Sequence, residues 1–133
     1  MPDPGVLLAW RAEAADAEVV ALTESHGGRA EAGWWDRVRR HSLGWVTARR
    51  DDRLVGFANV AWDGGDHAFL LDPKAHPDEQ RHGLGAAIVA RAVEGARDAG
   101  CEWVHVDFEP HLRDFYLDAC GFRATEAGLL RLR

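Results

Sequence analysis

Cysteine is scarce in this chain: 133 residues include two, Cys101 and Cys120. They lack the short spacing of a metal-ligand motif, so no metal site is expected. With no export signal in view a disulfide is not expected either, and both are read as buried free thiols. No apolar run approaches the roughly 18 residues that a membrane span requires. The opening Met1-Pro-Asp-Pro-Gly5 has no basic stretch followed by an apolar one, so no secretory signal is visible and a cytoplasmic location is expected. Repeats, linkers and low-complexity segments are missing as well. Positive charge is in short supply, with 16 Lys and Arg against 22 Asp and Glu and a formal net charge of −6. That argues against a nucleic-acid backbone as partner. It does not oppose a phosphorylated cofactor, which a local nest of amides can hold, and it favours a cationic second substrate through steering.

What is present describes a globular chain. With 47% hydrophobic and 29% charged residues, it reads as one domain spanning residues 1–133, with a radius of gyration of about 14 Å. Six tryptophans is high for this length, and most are expected in the core. The adjacent Trp34 and Trp35 cannot both face inward from one helix.

Periodicity and turn residues divide the chain. Val6–Arg11 is a short apolar run, hence a first strand. Asp16–Leu22 carries Val19, Val20 and Leu22 at helical spacing with Asp16 placed to cap, and Ser25-His-Gly-Gly28 ends it. Glu31–His41 predicts a second helix. Gly44–Arg49 alternates, Asp51-Asp52 marks a turn, and Leu54–Trp62 returns as a hairpin strand. After Asp63-Gly-Gly-Asp66 comes a strand over His67–Asp72. Leu84, Ala87, Ile88, Ala92, Val93 and Ala96 share one helical stripe that stops at Gly100. Trp103–Phe108 predicts a strand, His111–Cys120 a helix, and Phe122 onward one or two short strands. The expected fold is α/β, a mixed sheet of 6–7 strands with about four helices on its two faces and a βαβ crossover around residues 80–85. The closing Leu129-Leu-Arg-Leu-Arg133 predicts a sheet edge able to pair with another subunit, a possible homodimer.

Between the third hairpin strand and the long helix lies Gln80-Arg81-His82-Gly83-Leu84-Gly85. Two glycines two apart let the backbone turn freely and approach a ligand closely. The helix that follows leaves its first N–H groups unpaired and aims the positive end of its dipole at the same point. Loop and helix start together form an anion site suited to a phosphate or pyrophosphate. No Lys-Ser/Thr follows Gly85, which argues against the chemistry of a nucleotide P-loop.

The element order, with this loop after the third hairpin strand, resembles the GNAT superfamily of acyl-CoA-dependent N-acyltransferases over nearly the whole chain. Arg11 and Asp16 resemble the family's strand-ending Arg and helix-starting Asp. Val55-Gly56 resembles the pair that enters the middle hairpin strand. Gln80, Gly83 and Gly85 match its acyl-CoA signature. Phe115-Tyr116 followed by Gly121-Phe122 resembles its closing aromatic and Gly-Phe.

The resemblance implies an N-acetyltransferase with acetyl-CoA as cosubstrate, no metal, and a small-molecule or peptide amine as acceptor. It implies that Gln80, Arg81, His82, Gly83, Leu84, Gly85 and Ala86 surround the pyrophosphate, and that the strand at Ala75 runs beside the pantetheine arm. That strand and Trp103–Phe108 would splay apart to admit the thioester. It further implies Tyr116 as the acid that protonates the leaving thiolate, although Tyr116 stands five residues before Gly121 where the family has four. A loosened last turn over Ala119-Cys120 would absorb the extra residue. The position of the family's strand Glu falls on Phe69, which leaves Asp72, Glu109, His67 and His76 as candidate bases beside a water relay. Pro73 removes a backbone N–H that relatives aim at the thioester carbonyl, so Lys74 or Ala75 would supply it. Trp34, Trp35 and Asp36 fall where the superfamily shapes its acceptor site. A domain that binds acyl-CoA without turnover is the rival reading.

Overall fold

The computed structural model describes residues 3–80 and 82–133. In chain order it contains β1 (Val6–Trp10), α1 (Asp16–Ser25), α2 (Trp34–Val38), β2 (Ser42–Arg50), β3 (Arg53–Trp62), β4 (His67–Ala75), α3 (Leu84–Asp98) and β5 (Trp103–His105). A π-helical turn follows over Phe115–Ala119. The strands form one sheet in sequence order, antiparallel from β1 through β4 and parallel between β4 and β5. The crossover through α3 makes that last pairing possible, because parallel neighbours need a long connection. Among the described residues no helix is long and apolar enough to cross a membrane.

Each sheet face has its own core. Leu84, Ile88, Val89, Ala92 and Ala96 of α3 pack on Val46, Ala48, Val60, Ala68 and Leu70. On the other face α1 and α2 bury Val19, Leu22 and Trp35 against Leu54 and Phe57. Trp35 is fully inside, edge-on to Trp45 and Phe57 at 5.2 and 4.8 Å between centroids, while Trp34 stays half-buried. One tryptophan of the pair faces in, as helix geometry demands.

Asp16 does not cap its own helix. Its carboxylate accepts from the amides of Gly33 (2.7 Å) and Trp35 (2.8 Å), so it caps α2 instead. The start of α1 is closed by Glu18, which accepts from the Ala15 amide at 3.0 Å. The second helix is shorter than Glu31–His41 because Gly33 enters it at φ +89° and Arg39–His41 tightens into a 3₁₀ turn.

The largest corrections lie near the C-terminus. Among the described residues the sheet has five strands rather than six or seven. The final segment forms no strand, and Leu129, Leu130 and Leu132 are 88%, 82% and 89% exposed. A strand needs a ladder to satisfy its backbone, and β5 offers only three residues. The helix expected over His111–Cys120 is present with mixed winding: a 3₁₀ turn at Pro110–Leu112 runs through Arg113 and Asp114 into the π turn.

Two glycines decide how closely α3 approaches the sheet. Trp10 from β1 lies in a slot between Gly44 of β2 and Gly95 of α3. A Cβ on Gly44 would fall 2.2 Å from the indole, and one on Gly95 would fall 2.6 Å from it. Gly95→Ala should raise intrinsic helix propensity by about 1 kcal/mol, yet a rigid ring leaves the methyl no room. Overpacking costs about 1–3 kcal/mol. Urea unfolding of Gly95→Ala should therefore show a net loss of stability, and a gain would mean the indole relocates freely.

Candidate functional site

Strand β4 carries a bulge. Phe57 pairs with Lys74 and Asn59 with Leu71, so Asp72 and Pro73 together oppose the single residue Ala58. Asp72 adopts φ +55°, a left-handed conformation that Asp tolerates better than most residues. Pro73 fits beside it because a bulge does not require its missing N–H. The extra residue also decides which side chain faces which way: Lys74, rather than Pro73, shares the face of Phe57 and the two short helices.

On its other edge β4 is joined to β5 through only three pairs, His67 with Trp103, Ala68 with Val104 and Phe69 with His105. Leu70 through Ala75 continue as strand without a partner there, and the chain after His105 leaves the sheet. The two strands therefore part as a fork. The strand predicted over Trp103–Phe108 is cut to three residues, Trp103–His105, where its pairing with β4 ends.

At the free end of β4 begins α3: a Cβ on Gly56, the register partner of Ala75, would fall 3.5 Å from Leu84. Gly83 precedes it at φ +74°, a conformation open to glycine at no steric cost. Gln80, His82 and Gly83 are exposed, while Leu84 drives its side chain into the core. Gly85 and Ala86 follow in the first turn, half-buried. A Cβ on Gly85 would meet the Phe115 ring at 3.4 Å, an ordinary to slightly tight contact. Arg81, expected at the anion site, lies outside the described residues.

The loop leading to this helix is anchored by a pair of residues that the sequence reading missed. Glu79 is 8% exposed, and its two oxygens accept from Arg50 Nε (2.8 Å) and Nη2 (2.9 Å). Arg50 also donates to Asp3 at 2.6 Å. Such forked guanidinium–carboxylate pairs fix position as well as charge. His76 takes a structural place just upstream: its Nδ1 accepts from the Asp78 amide at 3.1 Å and its Nε2 lies 2.8 Å from Arg53.

Tyr116 sits in the π turn, 4% exposed, its ring stacked on Phe108 at 4.9 Å. The Cys120 amide donates to Phe115 O and the Phe122 amide to Tyr116 O, both at 3.0 Å. A π turn takes about one more residue than an α turn. Five residues from Tyr116 to Gly121 thus sweep roughly the rotation that four would cover in an α-helix, which is the loosened turn expected from the spacing. Burial, then the neighbouring Cys120 and Asp107, raise the Tyr116 phenol above its ordinary range. The carboxylate whose charge reaches Tyr116 is Asp107, a residue the sequence reading did not single out.

The other candidate bases are dispersed. Asp72 is exposed on the bulge, and Glu109 is exposed beyond β5 with its carbonyl accepting from Leu112. His67 lies at the zipped end of the fork, its Nδ1 2.7 Å from His105 Nε2. Phe69, on which the resemblance places the family's strand Glu, stacks on His105 at 4.7 Å.

Residues 8–122 match the model of the Acetyltransferase (GNAT) family. The chain is 34% identical over 100 residues to the mycothiol acetyltransferase of Mycolicibacterium smegmatis, an alignment covering 69% of this chain and 33% of that protein. It thus spans about a third of the length of that curated relative. In fold it is similar to a probable acetyltransferase of unknown function from methicillin-resistant Staphylococcus aureus, with TM-score 0.82, 20% identity, and 96% of this chain and 98% of that one covered. It is also similar to AAC(6')-Iy in complex with the bisubstrate analogue CoA-S-monomethyl-acetylneamine, with TM-score 0.75, 17% identity, and 96% and 97% covered.

The anchor of the loop makes a pH-dependent prediction. Hydrogen bonds from Arg50 hold the Glu79 carboxyl below its ordinary value of 4.5. The stability this adds is present above that value and is lost as pH falls through the lower, folded-state value. Glu79→Gln should melt below wild type at pH 7, and the gap should close below about pH 4. A gap independent of pH would show that charge is not what fixes the loop.

Proposed function

The chain belongs to the GNAT acetyltransferase family, and from that premise we propose that it moves an acetyl group from acetyl-CoA to a primary amine within a ternary complex. The observation that carries the proposal is the fork between β4 and β5 opening beside the glycine-led start of α3. Acetyl-CoA would supply an activated acyl group on a thiol leaving group.

The residues present fit that cosubstrate. Amides of the loop and first turn, from Gly83 to Ala86, would hold the pyrophosphate at the positive end of the α3 dipole, with Gln80, Arg81 and His82 around it. The free edge of β4 toward Ala75 would pair with the amides of the pantetheine arm as a short added strand. Lys74 and Ala75, past the proline, keep the N–H groups that Pro73 lacks. Holding amine and thioester in one geometry contributes at most about 7–11 kcal/mol of barrier reduction.

Tyr116 serves as the acid for the departing thiolate, since its raised phenol keeps a proton to donate at neutral pH. Asp72 on the bulge and Glu109 beyond β5 flank the fork, and each accepts the ammonium proton through water. The second reading, a coenzyme-binding module without turnover, draws on Phe69 standing where the resemblance places the family's Glu.

Two variants separate these readings. Gly85→Glu places bulk and negative charge at the helix start and should abolish acetyl-CoA binding by calorimetry, whereas Gly85→Ala, whose methyl meets only Phe115, should keep most of it. Retained affinity in Gly85→Glu contradicts the assignment. Tyr116→Phe should lower kcat by about 10²-fold, read as thiol release, with coenzyme affinity intact. The wild-type rate should not fall on the alkaline side until above about pH 10, because the phenol is shifted upward from there. An unchanged rate in Tyr116→Phe removes the acid role, and coenzyme binding with no thiol release across an amine panel favours the binding module.

A further inference from the structure

Lys74 is the one cation that the β4 bulge turns toward the two short helices. Its ammonium donates to Thr23 Oγ1 of α1. It stands over the Trp34 ring of α2 at 5.2 Å and over the Phe57 ring of β3 at 5.5 Å. The aromatic faces and the hydroxyl account for only part of what an ammonium with three donors can bind. No carboxylate among the described residues reaches it within ion-pair distance. The negative charge that acts on it belongs to Asp72, across the bulge. Burial, opposed by Asp72, pushes the ammonium below the ordinary lysine range.

A partly desolvated cation without a counter-ion is costly, and here it stands on the free stretch of β4, five residues beyond Phe69, the last residue paired with β5. We propose that Lys74 recognises an anionic group of the acceptor, so that the amine accepting the acyl group also carries a carboxylate, as in an amino acid or a peptide with a nearby free carboxylate. This rests on the transferase reading above and narrows its acceptor. The acidic surface of the whole molecule and this cation are compatible in such a substrate: the net charge of −6 draws in the ammonium end, and Lys74 takes the carboxylate. The strand geometry adds the direction. Lys74 pairs in register with Phe57 and faces α1 and α2, while Ala75 packs toward α3. The coenzyme edge and the acceptor-reading side chain are therefore adjacent in the chain but on different sides of the sheet.

The test uses the full-length chain, acetyl-CoA and paired acceptors: glycine, β-alanine and glutamate, each against its carboxamide, with thiol release as readout. Free acids should exceed their amides in kcat/KM by at least about tenfold, roughly 1.4 kcal/mol, with the difference in KM rather than kcat. Lys74→Met keeps the apolar stem and loses the charge, so the acid-to-amide ratio should fall near one. Lys74→Arg should restore much of it, which a merely structural lysine would not do. Equal turnover of acids and amides, or a preference that survives in Lys74→Met, overturns the proposal. If no acceptor is turned over while coenzyme still binds, the transferase reading fails separately. In that event N-acetylglycine and its methylamide are titrated into the CoA-saturated protein. Binding of the acid weakened tenfold by Lys74→Met sustains the anion site, and equal or absent binding refutes it.

Discussion

One extra residue in β4 governs the geometry of this molecule. The bulge at Asp72 and Pro73 shifts the register of β4 against β3 by one residue, and beyond Phe69 the strand runs without β5. Pairing between β4 and β5 ends at Phe69 and His105, just before the bulge, and the two strands leave a gap beyond that point. The same residue sets the facing of everything after it. Lys74 reaches the α1–α2 side and Ala75 the α3 side, which separates two environments along two consecutive positions. Asp72 at φ +55° stores modest strain, and proline beside it cannot restore the missing ladder bond. The bulge is therefore built into the residue types and does not depend on a ligand to form.

The rest of the fold holds this fork against a fixed helix start. Leu84 and Ile88 are buried in the core, Gly56 permits close approach because a Cβ there would fall 2.5 Å from Ile88, and Trp10 keys α3 to β1 and β2. Arg50 and Glu79 tie the loop before α3 to the end of β2. A second single-residue adjustment, the π turn at Phe115–Ala119, returns the chain so that Tyr116 packs between Phe108 and Phe122. The helix start and the π turn touch directly, through Phe115 over Gly85. Rigid elements thus carry the site on both sides, which is the arrangement that preorganised chemistry requires.

Much of this was legible from residue order. Alternation at Leu54–Trp62, the Asp-Asp and Gly-Gly turns, and the stripe from Leu84 to Ala96 marked strands, turns and the long helix, because local periodicity and turn chemistry act over a few residues. The five-residue spacing from Tyr116 to Gly121 pointed to a loosened turn, and the π winding supplies it. What failed depended on partners distant in sequence. Asp16 looks like the cap of its own helix, yet it closes the next one, because the folded chain brings Gly33 to it. The C-terminal leucines look like strand residues, but a three-residue β5 gives them no ladder. The pairing of Arg50 with Glu79, and the aromatic setting of Lys74, join residues from separate elements that no local pattern connects. The strand expected over His67–Asp72 stopped short of Pro73, because neither the bulge nor the backbone conformation of Asp72 shows in a local pattern.

The central claim is that the coenzyme spans from the start of α3 into the gap between β4 and β5. A crystal structure of the protein grown with CoA tests it most directly. The account predicts the pyrophosphate on amides between Gly83 and Ala86, with the pantetheine along the free edge of β4 and the sulfur beside the bulge. Density for CoA elsewhere, with β4 and β5 drawn together past Phe69 and His105, would contradict it.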